Sequence, residues 1–288
     1  MRIFPATAFL SAALFLSPDA VFAANFVVLR PAANLHAAPN ADSEVVTQAI
    51  YGTNLEVMEN SNNWSKVRTP DEYSGWIHKA LVTRANNRYG EGKKTAKVTS
   101  LFASLYREAS VTKHQPLITV PFETRLDVSG DSEVEGEKWL QLILPDGKTA
   151  WMLEGDVTLN PEKLTVRAVV ELSKQFLGLP YLWGGTSTFG FDCSGFVQML
   201  ERQRGVNMPR DAGAQATWTG STTVGRVELR AGDLLYFGSP DKKINHTGMY
   251  LGNGEFINAT RHLKPVVQIC KLSDPHWSKA FVTARRVK

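Results

Sequence analysis

The sequence predicts two small all-β barrels in series, followed by an α+β domain. Three observations predict this. A Trp-to-Trp spacing of twelve residues occurs twice, at Trp64/Trp76 and at Trp139/Trp151, inside stretches that align without gaps. Apolar residues alternate in both stretches, the period-two signature of strands. From Pro161 onward the pattern turns helical before strands resume. At 288 residues, 43% hydrophobic and 21% charged, the chain has room for several modules and is too apolar to be disordered. Its two cysteines exclude a disulfide scaffold and a four-thiolate zinc site, and a net charge of +4 is no nucleic-acid signature.

The first element is a leader. Met1 and Arg2 form a short positive end, Ala6 to Leu16 is almost wholly apolar, and Pro18 breaks the run. Val21-Phe22-Ala23 then offers small residues for a signal peptidase, so residues 1–23 read as a secretory signal peptide. The apolar run is too short to span a bilayer. No cysteine follows it, which excludes lipid anchoring there, and no other stretch is apolar enough to cross a membrane. The mature chain is expected to be exported, periplasmic or secreted, without a membrane span.

Residues 24–84 and 85–160 form the predicted barrels. Trp64 to Trp76 aligns on Trp139 to Trp151, with Pro70-Asp71 and Pro145-Asp146 as turns between strands. Upstream, Thr53-Asn-Leu-Glu-Val57 matches Thr124-Arg-Leu-Asp-Val128. The Trp pairs are expected in the barrel cores, and Arg84 to Lys97, rich in Asn, Gly and Lys, is expected to be the linker. Asn34-Leu35, Gly52-Thr53, Trp64 and Gly75-Trp76-Ile77 resemble bacterial SH3-like domains. The second copy is more diverged, with Ala150 in place of the glycine. The resemblance implies two SH3-like barrels that bind or position cell-wall peptides, or that serve as spacers.

Residues 161–288 carry the chemistry. Thr165 is placed to cap a helix whose apolar face holds Val166, Val169, Val170 and Phe176, ended by Gly178 and Pro180. Next come Tyr181-Leu-Trp183-Gly-Gly185 and Phe191-Asp192-Cys193-Ser194-Gly195-Phe196. Cys193, Phe196, Val197 and Leu200 follow helical spacing, so Asp192 is the expected cap and Cys193 lies in the first turn. There the helix dipole favours a thiolate. Gly232-Asp233 turns into the strand Leu234 to Phe237, and His246 to Leu251 and Glu255 to Ala259 form a hairpin around Gly252-Asn253-Gly254. That hairpin puts His246 and Asn258 at one end, supplying a nucleophile, a base and a group to orient the base: Cys193, His246 and Asn258. His262 is the rival orienter; Asn258 keeps the hairpin register.

The motifs Pro-Tyr-x-Trp-Gly-Gly, Phe-Asp-Cys-Ser-Gly-Phe, Gly-Asp-Leu-x-x-Phe and His-x-Gly-x-Tyr-Leu-Gly resemble the NlpC-type peptidoglycan cysteine peptidases. The resemblance implies an α+β papain-like catalytic domain, circularly permuted, whose third polar residue is usually His where this chain has Asn258. With the SH3-like units in front, the architecture resembles the γ-D-glutamyl-L-diamino-acid endopeptidases. It implies an acyl-enzyme cysteine peptidase cutting stem peptides or muropeptides and favouring a free N-terminal L-Ala. Asp192, Ser194, Arg210, Asp211, Tyr181 and Trp183 are then the substrate-binding candidates, with Tyr73, or alternatively Tyr51, lent by the first barrel. The alternatives are a muramoyl-L-alanine amidase and an inactive wall-binding protein.

Cys270, in a strand-like run, is expected to be a buried apolar residue. His36, His78, His114 and His276 have no partner pattern and read as surface or packing residues. No metal or nucleotide motif is present, so no cofactor is expected, nor any nucleic-acid partner, and the chain is expected to be a monomer. Residues 24–160 hold 14 Lys and Arg against 17 Asp and Glu, whereas residues 161–288 hold 17 against 10. The basic surplus therefore belongs to the last domain, which suits an anionic peptide.

Overall fold

A computed structural model describes residues 25–239, 241 and 243–288; the signal-peptide segment, residues 1–23, lies outside them. Two all-β units come first among the described residues. In the first, seven antiparallel strands run in the order 45–50, 32–36, 74–78, 64–68, 54–61, 25–28 and 82–85. The hairpin read from the first Trp pair is present: Trp64–Arg68 pairs with Ser74–His78 in the register Lys66 to Trp76. Val28, Leu35, Leu55, Val67 and Ile77 close its core. In the second unit, Thr149–Leu153, Glu137–Ile143, Arg125–Val134, Thr95–Val98 and Val157–Leu159 form a five-stranded sheet, accompanied by the pair Phe102–Leu105 and Ile118–Pro121.

Two expectations fail here. Among the four tryptophans only Trp139 is buried; Trp64, Trp76 and Trp151 are half-exposed. Trp64 lies edge-on between His36 and His78, with ring centres 5.4 and 5.3 Å away, so those histidines are its packing partners. Nor is Arg84 to Lys97 a loose linker. Ala85 ends one strand, Thr95–Val98 is another, and Tyr89 is buried in the second unit's core, where its hydroxyl donates to the Ile143 carbonyl at 2.8 Å. Composition marked a loop there because it cannot register one aromatic anchor among polar neighbours.

The third unit sets helices against a six-stranded antiparallel sheet, ordered 221–224, 281–287, 234–238, 244–252, 255–260 and 266–271. Its helices are α1 (Val166–Ser173), α2 (Cys193–Gln203), α3 (Ala212–Thr217) and α4 (Pro275–Ala280). The Thr165 hydroxyl caps α1 by accepting from the Ala168 N–H at 3.2 Å. Asp192 caps α2, its Oδ1 accepting from the Gly195 N–H at 2.7 Å. Phe176, Phe191, Phe196, Leu200, Met249 and Ile257 fill the space between α2 and the sheet. Burying each such side chain stabilises the fold by about 1.5–3 kcal/mol, so α2 is fixed against the strand that carries His246. Among the described residues no helix is long and apolar enough to cross a membrane.

The two β units both touch the third. Arg202 of α2 donates to both carboxylate oxygens of Glu123 in the second unit, at 3.0 and 2.9 Å. Gly184 sits so close to the first unit that a Cβ would stand 2.7 Å from the Val45 carbonyl oxygen, which accounts for a glycine after Trp183.

Candidate active site

Cys193 is the first residue of α2 and is buried beneath the strand Ile244–Gly252. The Thr247 N–H, one residue beyond His246, points at its thiol, as does the Ser194 N–H. Burial pushes the thiol up to about 12, with the Asp192 charge adding to the rise, while Thr247, Arg210 and Ser194 oppose it. Burial likewise pushes His246 down to about 4. Burial thus disfavours either charge alone. The dipole of α2 acts in the opposite direction, toward the thiolate.

The imidazole is oriented from behind. His246 Nε2 lies 2.8 Å from Asn258 Oδ1. The Asn258 amide is fixed in turn, because Nδ2 donates to the Gln268 carbonyl at 3.2 Å, and a carbonyl can only accept. Oδ1 therefore faces His246 as an acceptor, Nε2 carries the proton, and Nδ1 is left with a free lone pair. The hairpin register pairs Met249 with Ile257, so one step further Asn258 faces Gly248, two residues from His246 on the same face. A Cβ on Gly248 would stand 2.9 Å from the Asn258 Cβ. The missing side chain is what lets Asn258 reach diagonally to His246. His262 does not orient the base; its ring stacks on His276 at 3.9 Å and 6°. The indole of Trp277 lies against His246, 5.0 Å between centres and 29° between planes.

These positions set a pH dependence. In the unfolded chain an imidazole charges below about pH 6.5, whereas in the fold it stays neutral down to about 4. Its contribution to stability is full above 6.5 and is lost as pH falls toward 4. Activity follows the folded value. The acid limb of kcat/KM is expected near pH 4 rather than 6.5, measured in samples that circular dichroism shows to be folded. A limb at 6.5 would contradict a buried, neutral base.

The substrate candidates separate into two groups. Asp192, Ser194 and Arg210 are all buried. Arg210 donates from Nη1 to Asp192 Oδ1 at 3.0 Å and to Ser194 Oγ at 2.9 Å, and from Nη2 to Asp192 Oδ2 at 2.5 Å. Its Nε reaches Thr47 of the first unit at 2.9 Å. Both Asp192 oxygens thus accept from Arg210. Asp211 is exposed and accepts from the Tyr73 hydroxyl at 3.1 Å. Desolvation and the Asp211 charge push the Tyr73 phenol up to about 12, and Glu44 adds to the rise. Tyr51, the alternative, is buried in the core of the second unit. Trp183 is 60% exposed, and its Nε1 donates to Glu44 at 3.0 Å. Tyr181 is half-buried, its phenol raised to about 12 by burial and by nearby Cys193. Sequence reasoning missed Glu44, Gly248 and Trp277. None carries a local signal, because each acts across a strand or a unit boundary. Cys270 is buried in an apolar cluster, as expected, and its Sγ lies 3.5 Å from Asn258 Nδ2.

Comparison with known proteins adds a family. The model of the NlpC/P60 family matches residues 178–286, and that of the bacterial SH3 domain matches residues 31–83. The chain is 31% identical over 261 residues to a gamma-D-glutamyl-L-lysine dipeptidyl-peptidase of Bacillus cereus, covering 85% of this chain and 75% of that one. Against a protein of the same description from Bacillus subtilis it is 28% identical over 263 residues, covering 85% and 82%. The crystal structure of an NlpC/P60 family protein from Bacillus cereus superposes with a TM-score of 0.80 at 27% identity, over 91% of this chain and 99% of that one.

Proposed function

The chain belongs to the NlpC/P60 family, and from that premise we propose that it cuts the amide between γ-D-Glu and the diamino acid of peptidoglycan stem peptides, favouring a free N-terminal L-Ala. Membership makes it a cysteine peptidase with an SH3-like all-β region in front of the catalytic domain, acting on peptidoglycan-derived substrate outside the cytoplasm. The finer architecture in this reading is two SH3-like barrels, residues 24–84 and 85–160, ahead of a papain-like domain, residues 161–288.

Cys193 is the nucleophile, His246 the base and Asn258 the group that orients the base. The sulfur attacks the γ-carbonyl as its proton passes to His246 Nδ1. The acyl-enzyme forms when that proton moves on to the departing amine, and His246 then activates water to release the acid. Oxyanion donors are the N–H of Cys193 at the start of α2 and the Tyr181 phenol, which lies in the field of the thiol.

The observation that carries the specificity is the Tyr73–Asp211 contact across the boundary between the first β unit and α3. Asp211, Glu44 and the Tyr73 hydroxyl cluster at one end of the site, and the nearest cation, Arg210, is already paired with Asp192. Such a cluster suits an ammonium. The relatives named as dipeptidyl-peptidases support this reading, since an enzyme that releases dipeptides must meet an N-terminus. Acetylating the amine of L-Ala-γ-D-Glu-diaminopimelate is expected to lower kcat/KM by about 10- to 100-fold. Asp211→Asn is expected to lower it similarly for the free peptide and to leave the acetylated one almost unchanged. Equal rates on free and acetylated peptide with the native protein would remove the ammonium pocket and favour an amidase acting on muramyl-linked peptides.

A further inference from the structure

The loop after Asn258 carries two cations, Arg261 and Lys264, which join no ion pair among the described residues. The loop is firmly held. Gln268 Nε2 donates to the carbonyls of His262 and Lys264, both at 2.8 Å, and the His262 N–H donates to Thr260 Oγ1 at 3.0 Å. The Tyr181 N–H donates to the Pro265 carbonyl at 2.8 Å, so loop and tyrosine share one scaffold. The Arg261 guanidinium stands 5.8 Å from the centre of the Tyr181 ring, and that phenol lies in the field of the Cys193 thiol. An exposed guanidinium is therefore held one aromatic ring away from the nucleophile.

The side of the site follows from the chemistry. A departing amine collects its proton from His246, so the leaving residue lies on the His246 side of the sulfur. Trp277 ties the loop to that side, its ring centre 5.0 Å from His246 and 5.5 Å from His262. At the acyl end, Asp211 and Glu44 place negative charge around the Tyr73 phenol. A guanidinium fork held by neither carboxylate nor phosphate is suited to bind one in two parallel hydrogen bonds.

We propose that Arg261 is a specificity residue that receives a carboxylate of the leaving diamino acid. This rests on the endopeptidase reading above and extends it to the other side of the scissile bond. The carboxylate is either the α-carboxylate of that residue or the second one that diaminopimelate carries and lysine lacks.

The test measures kcat and KM of the full chain and of its Arg261→Gln and Arg261→Lys variants. The substrates are L-Ala-γ-D-Glu-diaminopimelate, the same peptide amidated at either leaving-side carboxylate, and L-Ala-γ-D-Glu-L-Lys. Arg261 is exposed, so both variants are expected to fold. For the diaminopimelate peptide, Arg261→Gln should raise KM about 10- to 100-fold with kcat nearly unchanged, and Arg261→Lys should fall between. Amidation at one of the two carboxylates should cost the native protein as much and cost Arg261→Gln almost nothing. Whichever amide does so identifies the carboxylate bound, and discrimination against the lysine peptide accompanies only the distal one. If amidation costs Arg261→Gln as much as the native protein, or if the variant loses kcat with KM unchanged, the assignment is overturned. A native protein that cuts none of the peptides overturns the endopeptidase reading itself, and this inference with it.

Discussion

Replacing Cys193 with Ala is expected to leave a folded protein whose hydrolysis of L-Ala-γ-D-Glu-diaminopimelate has dropped by about 10⁴-fold or more. Covalent catalysis cannot proceed without the sulfur, and nothing near it substitutes. Cys270 is buried in the strand Val266–Lys271 with its sulfur against Asn258 Nδ2, behind the base rather than in front of it. The fold should tolerate the change. Cys193 is the first residue of α2, and the Asp192 cap that starts the helix is untouched by the substitution. Loss of activity is read by chromatography of the products, and retention of the fold by circular dichroism. Undiminished hydrolysis by Cys193→Ala would sink the catalytic assignment.

The second large effect is on stability. Arg210 is 2% exposed and donates to Asp192, Ser194 and Thr47, joining the start of the nucleophile helix to the first β unit. Truncating it to Ala strands the buried Asp192 carboxylate, which costs about 3–5 kcal/mol. Arg210→Lys should recover little, because a point charge cannot span Asp192, Ser194 and Thr47 at once. Arg210→Ala combined with Asp192→Asn should recover part of the loss, since no buried charge is then left unpaired. Urea unfolding followed by tryptophan fluorescence measures all three. A loss below 0.5 kcal/mol in Arg210→Ala, the range of an ordinary surface substitution, would show that the pair is not buried in solution.

Much of the site could be read from sequence because its parts are local. Asp192 and Cys193 are adjacent, and a cap followed by an apolar helical face is a short-range pattern. The Gly252-Asn253-Gly254 turn fixes a hairpin, and a hairpin fixes which residues share an end. Three other features depend on contacts that no window along the chain contains. Only folding brings Arg210, eighteen residues on, against both oxygens of Asp192. Tyr73 meets Asp211 across 138 residues. Lys97 falls in a stretch composed like a linker, yet it is buried with Nζ on Gln203 at 2.9 Å, and that burial pulls its pKa down. The repeat shows the same limit: it placed both strand pairs but misjudged the tryptophans, because half-burial leaves the alternation of residues unchanged.

The central claim is the identity of the bond cut, and mass spectrometry of a digest of purified muropeptides, with and without a free N-terminal L-Ala, tests it most directly. The expected products are L-Ala-γ-D-Glu and a fragment beginning with the diamino acid, formed from peptides with a free amine and absent with Cys193→Ala. Release of intact stem peptide from muramic acid, or equal cleavage of blocked and free peptides, would contradict the account.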